Sequence, residues 1–425
     1  MAGFGVIRTL VRDRDLRKKV LITIGLLLVF RLFASLPIPG ANQEQLRLFF
    51  EQNQYLGLVN IFSGGALANF SLAMLGVGPY INATIILQLL TMIFPSFKQL
   101  YYEEGEAGRA KFNQYARYLT VALGLLQAFG LLNLLRANGI IGALGPLDTI
   151  RHITLVTAGS MFLMWIGELI SEQKIGNGIS LLIFAGIVTE IPLALRNNIA
   201  TFDPSKIPMY LVFLGIALIT LAGVVVINES ERRIPVNYAK RVRGMKVYGG
   251  ASSYLPLKVN QAGVIPIIFA LSLLMLPSMI GQIFGASKNP ALLNIAIQIQ
   301  NITNNQLVYG LSYFVLVFAF TYFYTVITFE PHELANNLQK QGGFIPGIRP
   351  GDTTAQFLSK TLYRITFLGA LFLAAIAVLP LAVQGITGVT SLSLGGTSLL
   401  IVVSVALETI RQLRAQLVMR EYDTF

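Results

Sequence analysis

ITLVTAGSMFLMWIGELISEQKIGNGISLLIFAGIVTEIPLAL (153–195) decides how the rest of the chain is read. It holds two apolar runs, 153–170 and 179–195, joined by the short polar turn 171–178. A helix rises about 1.5 Å per residue, so each run has roughly the length that crosses ~30 Å of hydrocarbon. Within hydrocarbon every backbone N–H and C=O must be paired, which makes helix the default conformation. The short alternating segments of a membrane barrel are absent.

The same alternation of apolar block and polar connector continues on both sides. Blocks at 20–36, 76–94 and 116–135 precede the pair, and blocks at 209–227, 262–284, 308–328, 366–382 and 393–411 follow it. Of the 425 residues, 54% are hydrophobic and 12% charged, and the mean hydropathy is +0.65. A soluble domain carries about 25% charged residues. The expectation is an all-α polytopic membrane protein with ten transmembrane helices. Arg8, Arg12, Arg14, Arg17, Lys18 and Lys19 before the first block resemble the start of a signal peptide. No A-x-A-like site precedes a soluble region and nine more blocks follow, so the segment reads as an uncleaved first span.

Basic residues give the orientation. With the N-terminus inside, the inside connectors hold 25 Lys and Arg and the outside connectors 6, with Arg31 left within a span. The positive-inside rule then places both termini in the cytoplasm. Five spans lie before the connector near 196–208 and five after it, dividing the chain into 1–200 and 201–425. An odd number of spans per half permits an inverted repeat.

Several chemistries are excluded. Cysteine is absent, and His152 and His332 are the only histidines, so disulfides, thiolate sites and a histidine metal centre have no basis. Walker A, H-E-x-x-H and nucleophile-elbow motifs are missing. We expect no enzyme activity, cofactor, metal or catalytic residue. The ionisable residues within spans are Arg31, Glu168, Glu190 and Glu408. All lie near span ends, and the simplest expectation is that they snorkel to the interface. A secondary transporter for a small solute stays open on base rates, although no charged midplane cluster supports it. Without a chain of Asp, Glu and His across the membrane, a proton pump or proton-coupled transporter is disfavoured. Without a filter sequence or acidic ring, so is an ion channel.

Two segments exceed the needs of a simple bundle. GLVNIFSGGALANFSLAML (57–75) is half a span long and rich in Gly, Ala, Ser and Asn, as expected of a weakly held half-helix or re-entrant piece. The connectors 228–261 and 329–365 are long, basic and broken by Gly and Pro. Arg232, Arg233, Lys240, Arg241, Arg243, Lys246 and Lys258 crowd the first. Such protruding loops suit a large acidic or RNA-containing partner.

Nine phrases then become specific: FRLFASLPIPG (30–40), NIFSGGAL (60–67), GPYINATIILQLL (78–90), EGEAGRAKFNQYARY (104–118), 161–188 within the opening stretch, RRIPVNYAKR (232–241), LPLKVNQAGVIPIIFA (255–270), FIPGIRPG (344–351) and GGTSLLIVV (395–403). In this order they closely resemble the bacterial SecY family, from about residue 20 to 413. The resemblance implies two inverted five-helix halves around an hourglass pore, forming a passive protein-conducting channel. It implies an apolar pore ring of Val77, Ile81, Ile85, Ile179, Ile183, Ile268 and Ile401. It implies a plug at Asn60, Ile61, Phe62, Ser63, Gly64, Gly65, Ala66 and Leu67.

The family's lateral gate would run between 76–94 and 262–284, with Asn82, Thr84, Gln88, Thr91, Asn260, Gln261 and Leu274 on or near it. Arg241, Arg243, Lys246 and Arg349 would dock partners. Those implied are a motor ATPase of the SecA type, the ribosome with its RNA, small SecE-like and SecG-like membrane subunits, signal sequences, unfolded substrates and lipid. Met245 stands where many relatives carry a basic residue, and Gly78 where some carry Met.

Overall fold

The computed structural model of the chain describes residues 13–39, 45–46, 49, 60, 63–142, 145–200, 207–238, 241–243, 246–248, 252–285, 289–387 and 395–423. Ile61, Phe62, Lys240 and Met245 lie outside the described residues.

Each of the ten expected spans falls on a helix. Helix α1 is Arg14–Ser35, α2 Gly78–Ile93, α3 Gly105–Ala137, α4 Pro146–Glu172, α5 Gly178–Ala200 and α6 Ile207–Glu229. Helix α7 is Ile265–Gly285, α8 Pro290–Asn304, α9 Gln306–Thr328, α10 Pro331–Lys340, α11 Asp352–Thr387 and α12 Gly395–Asp423. The short helices α8 and α10 were not expected.

Local chemistry sets the ends. Asp13 caps α1 by accepting hydrogen bonds from Asp15 N (2.9 Å) and Leu16 N (3.3 Å), two donors that the first turn leaves unpaired. The basic stretch from Arg14 is thereby helical, and α1 starts before the apolar block. Helix α2 stops at Phe94 (φ −109°, ψ 116°), because the ring of Pro95 forces the preceding residue out of the helical region. The chain resumes as helix at Pro95 after a bend of 115°.

The bundle is apolar outside as well as inside. Leu28 (62% exposed) on α1, Ile219 (74%) on α6, Leu311 (68%) on α9 and Leu368 (62%) on α11 face outward. In water such surfaces would associate, whereas in hydrocarbon they are the solvated face. The first-half helices α2 and α3 pack against α7, and α5 packs against α12. These helices therefore meet along two seams, α2 and α3 with α7 and α5 with α12.

The long connectors differ from loops. ERRIPVNY and SSYLPLK form strands β1 (Glu231–Tyr238) and β4 (Ser252–Lys258), antiparallel with Ile234 opposite Leu255. Strand β5 (Gly343–Phe344), from the other connector, pairs with β1 at Asn237 and Tyr238. Ile234 and Val236 alternate with exposed residues and pack with Leu257, Leu338, Ile345 and Leu358. The two connectors thus share one small core, built on the period-2 pattern of a half-buried strand. Strands β2 (Arg241–Arg243) and β3 (Lys246–Tyr248) form a separate hairpin.

Candidate functional site

The seven residues expected to form the ring come from four helical segments of the chain. Val77, the N-cap of α2, is followed at four-residue intervals by Ile81 and Ile85 on that helix, and Ile179 and Ile183 have the same spacing on α5, so each helical set lies on one face. Ile268 comes from α7 and Ile401 from α12. Six of them are members of a single apolar cluster, with exposures from 0% for Ile401 to 7% for Ile81 and Ile268, and half-buried Ile179 packs against it. Branched aliphatic side chains offer no hydrogen bond to a passing polar group and exclude water from a narrow gap.

Ala66 belongs to the same cluster, and the neighbouring Leu67 to a second one with Phe70, Met74, Leu132 and Val156. The described part of 57–75 is a succession of turns from Ser63 onward, so of the two expected forms, half-helix or re-entrant piece, it departs from the first. Positive φ at Gly64 (69°), Gly65 (78°) and Gly76 (57°) explains the departure, since these values leave the helical region. Asn60 ties the loop: its carbonyl accepts from Gly65 N (2.9 Å) and its side-chain oxygen from Ala68 N (2.7 Å).

The intramembrane charges are corrected most. Arg31 does not snorkel: its Nη1 donates to the carbonyl of Gly64 at 2.5 Å. Glu190 lies with its carboxylate against Gly65. Glu168 forms a two-point pair with Arg117 (3.0 and 2.9 Å), and Glu408 accepts from Gln412 (3.4 Å). Span-end position alone could not separate these environments.

Along the α2–α7 seam, Asn82 and Thr91 are buried, Thr84 and Gln88 are half-buried, and Leu274 packs against the central cluster. Yet the hydroxyls of Thr84 and Thr91 donate to Ile81 O (2.8 Å) and Gln88 O (2.7 Å) on their own helix. Asn260 also bonds within its half: its Nδ2 donates to Asn228 Oδ1 (2.7 Å), and Asn228 Nδ2 donates to Ser404 Oγ (2.7 Å). Gln261 is half-buried beside it.

The cross-half bonds lie elsewhere. Tyr102 donates its hydroxyl to Ile327 O (3.3 Å), and Gln416 donates to Lys174 O. Burial, with the Tyr101 and Glu330 charges behind it, pushes the Tyr102 phenol up to about 12, so it keeps its donor proton at any physiological pH. Nothing in the local sequence marks Tyr102, because its partner is 225 residues away.

Arg349 is exposed beyond β5, and its carbonyl accepts from Thr354 Oγ1 at 2.8 Å. Arg241, Arg243 and Lys246 contribute backbone to the β2–β3 hairpin, and their side chains lie outside the described residues. Among the described residues no three His, Asp or Glu gather in a way that could hold a metal.

Outward-facing apolar helices around a buried aliphatic centre, with a turn-rich loop against it, define a polytopic helical membrane protein. The chain belongs to the SecY family, whose sequence profile matches residues 71–410. It is 44% identical to the protein translocase subunit SecY of Corynebacterium glutamicum, over 97% of each chain. Its fold is similar to two solved structures. One concerns the SecY plug domain, described as stabilising the closed state of the translocation channel and maintaining a membrane seal (TM-score 0.64, 19% identity, 93% and 91% of the chains). The other is Sec61 in the canine ribosome–channel complex from the endoplasmic reticulum (TM-score 0.60, 18% identity, 93% and 91%).

Proposed function

We propose that this chain is the channel subunit of a protein translocase in the cytoplasmic membrane. It passes unfolded secretory polypeptides across the bilayer and releases membrane-protein helices sideways into lipid. The observation that carries this is the convergence of Val77, Ile81, Ile85, Ile183, Ile268 and Ile401, from four helices of both halves, on one buried centre with Ala66 against it. Aliphatic side chains part around an extended chain and close behind it without selecting its sequence.

The chain is a passive conduit and not an enzyme, so the work comes from a docked motor ATPase of the SecA type or from a translating ribosome. The sheet-bearing side, with Arg349, the β2–β3 hairpin and most of the Lys and Arg, faces the cytoplasm together with both termini. Small SecE-like and SecG-like subunits complete the complex.

The test is a secretory chain stalled in transit. With a photoreactive group at Ile183 or Ile401, the stalled chain is expected to crosslink at both positions; no adduct at either would sink the channel reading. The seam between α2 and α7 is tested separately. Cysteine pairs at Gln88 and Leu274, and at their immediate neighbours, are expected to form a disulfide that stops lateral release of a signal sequence. Failure of every nearby pair to crosslink would refute the gate.

A further inference from the structure

The loop that fills the central cluster is held by two charged side chains from different helices. Arg31 Nη1, on α1, donates to Gly64 O at 2.5 Å. A Cβ added at Gly64 would come within 2.9 Å of Gly186 Cα on α5 and 3.3 Å of Phe30 Cζ on α1. A Cβ added at Gly65 would collide with Glu190 Oε1 of α5. The Gly64–Gly65 turn, left-handed at both residues, is thus bonded by the Arg31 guanidinium and touched by the Glu190 carboxyl. Charged groups are disfavoured at membrane depth unless they pair or serve a function, and a charge-assisted bond to a backbone carbonyl is among the stronger hydrogen bonds.

At the turn itself Ser63, Ala66 and the two glycines present little apolar surface, and Asn60 ties the loop only to itself, while Leu67 and Phe70 anchor the chain beyond the turn in the second cluster. We propose that Arg31 and Glu190 are positioning residues that clasp the Gly64–Gly65 turn and set the threshold at which an arriving polypeptide displaces the loop from the apolar ring. This deepens the channel reading and rests on it. Apolar packing seals the path, while the clasp decides how readily the seal is left, and so how weak a signal sequence can still open it.

The experiment uses the complete membrane complex in vesicles, with Arg31→Gln, Glu190→Gln, their double variant and Arg31→Lys. Two quantities are read: resting ion leak, and export of a reporter with a weakened signal sequence relative to one with a strong signal. Arg31→Gln is expected to raise the leak and the weak-to-strong export ratio by roughly tenfold, the population shift that loss of one charge-assisted hydrogen bond gives, and Glu190→Gln, whose carboxyl only packs against the turn, to raise both by a smaller factor. The double variant is expected to fall well short of the product of the two, because both residues hold one turn. Arg31→Lys keeps a charged donor and is expected to stay near the parent.

If Arg31→Gln does not fold, Glu190→Gln, which keeps the side-chain shape, decides alone. A properly inserted glutamine variant with leak and export ratio at the parent value overturns the clasp, as does a multiplicative double variant. Absence of strong-signal export by the parent complex would instead count against the channel reading.

Discussion

Converting Ile81, Ile183, Ile268 and Ile401 together to glycine is expected to make reconstituted vesicles conduct ions at rest. The four come from α2, α5, α7 and α12, are 7%, 1%, 7% and 0% exposed, and belong to one apolar cluster. A narrow aliphatic passage blocks ions because water inside it lacks hydrogen-bond partners and withdraws. Glycine widens the passage and exposes backbone carbonyls and N–H groups to water. A fall of about 1.4 kcal/mol in the barrier raises ion flux about tenfold, and burial of a single aliphatic side chain is worth roughly 1.5–3 kcal/mol.

Flux should therefore rise by more than one order of magnitude across four sites, measured as vesicle conductance or dye-reported ion uptake. Isoleucine-to-valine changes at the same positions keep an aliphatic wall and should remain tight. Conductance equal to the parent in a correctly inserted glycine variant would reject the ring assignment.

Gly159→Val is expected to remove the folded protein. Gly159 lies on the buried face of α4, where an added Cβ would overlap the carbonyl oxygen and carbon of Leu72 in the segment returning from the central loop. Leu72 is itself fixed, since its N–H donates to Leu36 O (3.3 Å) and the adjacent Ser71 bridges to Pro37. A side-chain neighbour could rotate away, but a backbone neighbour held at both ends cannot. Overpacking in a core costs about 1–3 kcal/mol even when side chains yield, and a backbone collision belongs at or above the top of that range.

Gly25→Val supplies the contrast. It also sits within a helix, yet nothing lies within 4 Å of its Cβ position, so stability should hold or rise. Thermal aggregation in detergent, followed by size-exclusion fluorescence, should separate the two by several degrees or more. Equal melting of Gly159→Val and the parent would show that α4 does not press on this segment.

The parts of the fold legible beforehand are those that the bilayer dictates. Hydrocarbon thickness requires apolar runs of a certain length, so α1 to α7, α9, α11 and α12 each announce themselves by composition. What was misjudged lies outside that rule. The connectors holding ERRIPVNY and SSYLPLK read as basic loops because their charge dominated, although Ile234 and Val236 carry the alternation of a strand. Helix α8 has no mark in the sequence, because its Leu, Ile, Gln and Asn make neither a span nor a turn signal. Ring residues could not be chosen by periodicity, since every span is full of Ile and Leu; only the likeness to a known family singled them out. Arg31 and Glu190 read as interfacial because their distance from a span end is visible in sequence, while the loop between them is not.

By itself, then, the sequence determined the number and order of the apolar helices and the uneven placement of Lys and Arg, because hydropathy and charge are local properties that lipid and water sort residue by residue. The tertiary structure alone decided that Ile81, Ile183, Ile268 and Ile401 share one centre, that Arg31 and Glu190 grip Gly64 and Gly65, and that Tyr102 reaches Ile327. Those contacts depend on which faces of distant helices meet, and that is a property of the packed bundle as a whole.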